Sequence, residues 1–200
     1  MSRRGALRGG RLGRGMRIGL FGGSFDPPHA GHLHVARTAL RRLGLDQVWW
    51  LVSPQNPLKA QPAGDFERRF RAVQELADRP GMHVSDIETR LGTTRTIDLL
   101  HHFKTRHPGV HFVWLMGADN LASIHHWAHW PEIFQTVPVA VIARPQDAVR
   151  ARLSRAACQF ATSRIRESEA ASLPLQSAPA WTYLTERLHS HSSTALRARH

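Results

Sequence analysis

Short apolar runs alternate with amphipathic stretches along most of the 200 residues. Residues 17–21, RIGLF, form an apolar run stopped by Gly22 and Gly23, which predicts a buried strand. From residue 30 to 43 the period becomes helical. Leu33, Ala36, Leu40 and Leu43 share a face, the arginines at 37, 41 and 42 lie mostly elsewhere, and Gly44 ends the pattern. QVWWLV (47–52) reads as a second strand, residues 53–64 as a Pro-rich loop, and residues 65–78 as an amphipathic helix closed by Pro80 and Gly81. Further strands are predicted at 82–86, 110–117, 137–143 and 180–185. Helices are predicted at 93–109 and 146–157, and SSTALRAR (192–199) reads as a helix opening.

Strands that alternate with helices pair in parallel, with crossovers on both faces of the sheet. The expected fold class is therefore α/β, with a doubly wound, mainly parallel sheet. Neither an internal repeat nor a second composition regime interrupts the pattern, so residues 16–200 are expected to form a single domain. Ligands of such sheets bind at the carboxyl ends of the strands. The loop after the first strand is accordingly the first place to look for chemistry.

Composition narrows the setting. No apolar run is long enough to cross a membrane, and the N-terminus lacks the apolar core of a secretory signal. The single cysteine, Cys158, excludes a disulfide framework and fits a reducing, cytoplasmic setting. The net charge is +12, and of 27 basic residues only Lys59 and Lys104 are lysine. Part of the excess lies in MSRRGALRGGRLGRG, residues 1–15, which has little to bury and is expected to be a disordered tail. Two readings of that arm stand: mobile arginines for RNA phosphates, or a dispensable tail ahead of a start at Met16. The high pI raises nucleic-acid binding as a function of a different class. However, no binding motif or aromatic platform is present, and an enzyme of anionic nucleotides gains equally from positive potential.

After the first strand comes GGSFDPPHAGHLH, residues 22–34. Two glycines allow close backbone approach to a ligand, and Pro27 and Pro28 stiffen the loop and delay the helix. His29 and His32 then fall at a helix start, where unpaired N–H groups and the helix dipole favour anions. Without a carboxylate pair or a Cys nucleophile nearby, the chemistry suggested is phosphate positioning rather than covalent catalysis. The chain has neither a Walker loop nor the G-x-G-x-x-G fingerprint. Among the 14 histidines, His125 and His129 stand four apart on a possible helix, and His101 and His102 are adjacent. A third ligand is missing in each case, so no metal site is expected and surface histidines are the better reading.

GGSFDPPHAGH resembles the T/S-x-x-H and H-x-G-H signature of the nucleotidylyltransferase superfamily, in the form of the bacterial nicotinate-nucleotide adenylyltransferases. SPQNPLK (53–59), GTTRTIDLL (92–100), WLMGADNLASIHHWAHWPEIF (114–134), VIARP (141–145) and SSTALR (192–197) follow in that family's order. The resemblance implies a Rossmann-like nucleotidylyltransferase fold. It also implies transfer of AMP from ATP to nicotinate mononucleotide, giving deamido-NAD and pyrophosphate. The acceptor's phosphate would attack in line, with Mg²⁺ held mainly by the ATP phosphates.

The implied site follows residue by residue. Gly22, Gly23, Ser24 and Phe25 would give backbone contacts to nucleotide. His29 and His32 would meet the ATP phosphates, with Ser193, Thr194 and Arg197 at a second helix start and Lys59 reaching from its loop. Gly117, Asp119 and Arg144 would serve the nucleotide and its ribose, and Thr96 and Trp127 the nicotinate. Lys59 could equally be a solvated loop lysine, Asp119 a turn former and Trp127 a core residue. The family's aromatic before Thr96 is replaced here by Arg95. The related phosphopantetheine adenylyltransferases usually carry Thr where this chain has His29, and lack the GADN…HHW block. Nothing in the sequence sets the oligomeric state.

Overall fold

The computed structural model describes residues 12–54, 64–143 and 151–185. Six strands form one sheet: β1 Arg17–Gly23, β2 Gln47–Val52, β3 Met82–Ser85, β4 His111–Gly117, β5 Val139–Ala143 and β6 Trp181–Thr185. Their order is β3-β2-β1-β4-β5-β6, and every pairing is parallel. This is the order of the doubly wound dinucleotide-binding sheet. The helices include α1 Ala30–Arg42, α2 Phe66–Leu76, α3 Ile87–Leu91, α4 Thr96–Arg106, α5 Ala118–Ser123 and α6 Trp130–Thr136.

Side chains alternate across each strand, so the sheet feeds two cores. Ile18, Leu20, Trp49, Leu51, Trp114 and Met116 join Ile97, Phe103, Leu121 and Phe134 from α4 to α6 on one face. Phe21, Val48, Trp50, Val113 and Leu115 join Val35, Ala39 and Val73 from α1 and α2 on the other. The connection after β1 thus runs over one face and the connection after β4 over the opposite one. Between the ends of these two neighbouring strands the sheet opens a crevice.

The structure corrects several expectations. β1 does not stop at Phe21; it runs through both glycines, with Gly22 opposite Leu51 and Gly23 opposite Val52. Neither glycine has a positive φ. A Cβ on Gly22 would fall on the ring edge of Trp114, and one on Gly23 would stand 3.2 Å from the Phe25 ring. Both positions are small because aromatic rings fill the space. The helix expected over 146–157 is interrupted. Within its described part, residues 151–152 are helical, and Ser154 then caps a separate helix, Arg155–Gln159, by accepting from the N–H of Ala157. The helix expected over 93–109 is shorter, because Thr93 and Thr94 stay outside it.

Residues 12–15, read from the sequence as part of the arm, lie against the sheet end. Leu12 packs on the first core, and the N–H of Gly15 donates to the carbonyl of Gly109 at 2.7 Å. The rest of the arm, residues 1–11, is outside the described residues. None of the described helices is long and apolar enough to cross a membrane.

The Trp114 contact can be tested. Trp114 is 1% exposed, so its ring cannot yield. Gly22→Ala is expected to lower stability by about 1–3 kcal/mol through overpacking, read as a lower urea midpoint at unchanged slope.

Candidate active site

The corner after β1 is built on an aromatic anchor. Phe25 has φ +46°, a conformation that costs energy for a residue with a bulky side chain. Its ring offsets this by burial: it is 2% exposed, and it lies 5.4 Å from Phe21, 5.3 Å from Trp50 and 5.1 Å from His32. The turn therefore cannot relax without withdrawing a phenyl ring from the core. The same cluster fixes the plane of His32.

His29 is the N-cap of α1, and the two histidines cap reciprocally. Nδ1 of His29 accepts from the N–H of Gly31 at 3.1 Å, and Nδ1 of His32 accepts from the N–H of His29 at 3.2 Å. The rings stack with centroids 3.8 Å apart. An imidazole whose Nδ1 accepts a hydrogen bond carries its proton on Nε2. Each ring therefore takes up a backbone N–H at the helix start and keeps its own proton on Nε2. This corrects the expectation that the backbone groups there stay unpaired. No acidic residue stands in the first turn of α1, so the helix dipole keeps its attraction for anions.

Three residues not singled out from the sequence support this corner. Arg69 on α2 is 2% exposed. Its Nε donates to the carbonyl of Gly64 at 2.8 Å. Its Nη1 donates to Ser24 at 2.6 Å and Ser53 at 2.9 Å, and its Nη2 to Pro54 at 2.9 Å. Burial lowers the pKa of the guanidinium, while Asp26 and Asp65 act in the opposite sense. Ser53 also donates its N–H to the carbonyl of Gly23 at 2.9 Å, and its side chain hydrogen-bonds Glu88. Glu88 is 8% exposed. Burial pushes its carboxyl up to about 7, against the Ser53 bond, which favours the ionised form. One signal for Arg69 was present: it shares a helical face with Phe66 and Val73, an arginine where an apolar residue is due. Glu88 carried no comparable signal.

β4 ends beside β1 at Gly117, which caps α5. A Cβ there would collide with the carboxylate of Asp119. Asp119 is thus folded back over the strand end and remains exposed. Thr96 opens α4 and Arg95 is its N-cap residue. Ahead of it, the Thr93 hydroxyl accepts from the N–H of Arg95 and donates to Asp98 at 2.8 Å. Thr93, Arg95, Asp98 and His102 line a hollow of about 460 Å³. Trp127 is half-buried and packs against the first core.

Topology brings residues 22–32, 96, 117, 119 and 127 to the carboxyl end of the sheet. Lys59, Arg144, Ser193, Thr194 and Arg197 lie outside the described residues. His125 and His129 do not share a helix. The ring of His125 lies 3.9 Å from that of His126, and His129, at φ +53°, pairs with Glu132 at 3.1 Å.

The cytidylyltransferase-like family model matches residues 20–199. The probable nicotinate-nucleotide adenylyltransferase of Caulobacter sp. (strain K31) is 56% identical over 185 residues, spanning 92% of this chain and 98% of the relative. That of Parvibaculum lavamentivorans is 51% identical over 186 residues, spanning 92% of each. Among solved structures, the Plasmodium falciparum nicotinic acid mononucleotide adenylyltransferase complexed with NaAD superposes with a TM-score of 0.67 at 20% identity, over 92% of this chain and 83% of that one. Its complex with APC gives 0.64 at 20% identity, over 90% and 82%. At that identity the likeness bears on the fold.

Glu88 gives the site a testable pH signature. Its carboxyl titrates near 4.5 in the unfolded chain and about 7 in the fold. Below the lower value both states are protonated. As pH rises from the lower value to the higher one, the unfolded chain ionises while the fold stays protonated, and the fold loses stability, by about 3 kcal/mol at most once it ionises too. Glu88→Gln is expected to match the wild type near pH 4 and to exceed it at about pH 8 in denaturant titrations.

Proposed function

The chain belongs to the nicotinate-nucleotide adenylyltransferases of the cytidylyltransferase-like family, and from that premise we propose how its own residues carry the reaction. The enzyme transfers AMP from ATP to nicotinate mononucleotide in NAD biosynthesis. In our reading the acceptor's phosphate attacks the α-phosphorus in line, pyrophosphate leaves, and no bond to the protein forms.

The observation that carries this reading is the reciprocal cap of His29 and His32. It sets two imidazoles that carry their protons on Nε2 just after β1, at the positive end of a 13-residue helix, and supplies no nucleophile. Such a corner stabilises charge that develops on phosphate oxygens without having to reorganise. Gly22, Gly23, Ser24 and Phe25 provide the backbone wall, and Gly117 and Asp119 receive the nucleotide's ribose. Thr96 and Trp127 hold the nicotinate, Arg144 joins Gly117 and Asp119 in serving the nucleotide and its ribose, and Lys59, Ser193, Thr194 and Arg197 serve the phosphates.

Among the described residues no three His, Cys, Asp or Glu side chains converge on a point where they could hold a metal. The donors at the corner suit phosphate, so Mg²⁺ would be carried by the ATP oxygens, where it neutralises part of their charge. An exposed free thiol, Cys158, is in keeping with a cytoplasmic location.

Two measurements test the proposal. Pyrophosphate release from ATP and Mg²⁺ is expected with nicotinate mononucleotide in strong preference to nicotinamide mononucleotide or phosphopantetheine. Preference for another acceptor would overturn the assignment of the Thr96 and Trp127 pocket. His32→Ala is expected to keep the fold, at a cap loss of about 1 kcal/mol, and to lose about 10²–10³ in turnover. Near-normal turnover in that variant would remove His32 from the phosphate site.

A further inference from the structure

We propose that Arg69 is the positioning residue of the nucleotide loop. Through four carbonyl bonds it sets which way the amides after β1 point. The inference rests on the reading that residues 22–32 meet the ATP phosphates.

Arg69 joins three stretches of chain that are distant in sequence. Its guanidinium holds Ser24 after β1, Ser53 and Pro54 after β2, and Gly64 just before α2. Every one of these bonds goes to a neutral carbonyl. Asp26, whose charge acts on the guanidinium, accepts instead from the N–H of Gly64 at 2.9 Å. Burying a guanidinium without a bonded carboxylate is costly, and an apolar side chain would fill the same space at lower cost. What the planar fork adds is direction: several donors at fixed angles, which an ammonium cannot offer.

That direction passes to the loop through the peptide plane. In a trans peptide unit the C=O and the next N–H point opposite ways. The carbonyl of Gly23 is held by Ser53 on the β2 side, so the N–H of Ser24 is turned toward β4, where the crevice opens. The carbonyl of Ser24 is held by Arg69 on α2, so the N–H of Phe25 is turned away from α2. Arg69 also binds the carbonyl of Ser53, which keeps the Ser53 N–H in place under Gly23. Carbonyl oxygens that would repel a triphosphate are thereby gathered away from the crevice, one of them on a buried cation, and the peptide N–H groups are turned the opposite way.

The test uses the purified full chain with Arg69→Lys. The ammonium keeps the charge and loses the fork. We expect KM for ATP to rise at least about tenfold, with KM for nicotinate mononucleotide within about twofold and cooperative melting retained. A purely structural role predicts lower stability with both KM values unmoved. That result, or equal increases in both, overturns the inference. If the wild type makes no deamido-NAD in the same assay, the functional reading has failed instead. If the lysine variant does not fold, the wild type decides. Its Arg69 Nε–H, followed by NMR, is expected to exchange more slowly with a non-hydrolysable ATP analogue bound and not with nicotinate mononucleotide. Unchanged exchange with the analogue overturns the inference.

Discussion

The pairing of β1 with β2 on one side and β4 on the other is the constraint from which the site follows. A central strand with parallel neighbours must send its crossover over one face, while the next half of the sheet sends its own over the other. The ends of β1 and β4 then stand side by side with no helix between them. Everything functional is hung from that gap. β1 supplies the glycine-lined wall and the His29–His32 cap, and β4 supplies Gly117 and Asp119. The register is fixed from below by the interlocking of Gly22 with Trp114, so an aromatic ring of β4 sits directly under the nucleotide strand.

The corner is stiff for reasons that can be traced to individual groups. Phe25 holds a left-handed backbone because its ring is committed to Phe21 and Trp50. The first turn of α1 is closed by imidazoles instead of the usual Ser or Asp. This choice avoids a carboxylate where anions must bind and leaves each ring with a fixed tautomer. Beneath it, the buried Arg69 and Glu88 and the half-buried Ser53 form a polar layer. Such layers cost desolvation energy, and here the layer ties together the chain after β1, the chain after β2 and the residue just before α2. Stability is given up for a preformed site, which is what a reaction that relies on positioning requires.

The strands and the first helix were legible because apolar period alone marks them. The phosphate corner was legible because it is contiguous in sequence: strand, glycines, prolines and histidines all fall between Arg17 and His32. What was not legible depends on contacts between distant segments. The glycines were read as room for a ligand, yet the space beside them is taken by Trp114 and Phe25. Helices α3, α5 and α6 were missed because five to seven residues do not complete two turns of a pattern. Ser154 split the helix expected over 146–157, since a serine can cap a helix as readily as continue one. Arg69 belongs to the site through its bonds to Ser24 and Ser53, and Glu88 through Ser53, and no local pattern encodes those meetings.

Nitrogen NMR of the histidine rings, recorded with and without ATP and Mg²⁺, puts the proposed corner to the test. The reciprocal cap requires that both His29 and His32 be neutral with the proton on Nε2, and that both Nε2 signals move when ATP is added. A proton on Nδ1 of either ring, or signals indifferent to ATP, would contradict the account at its centre.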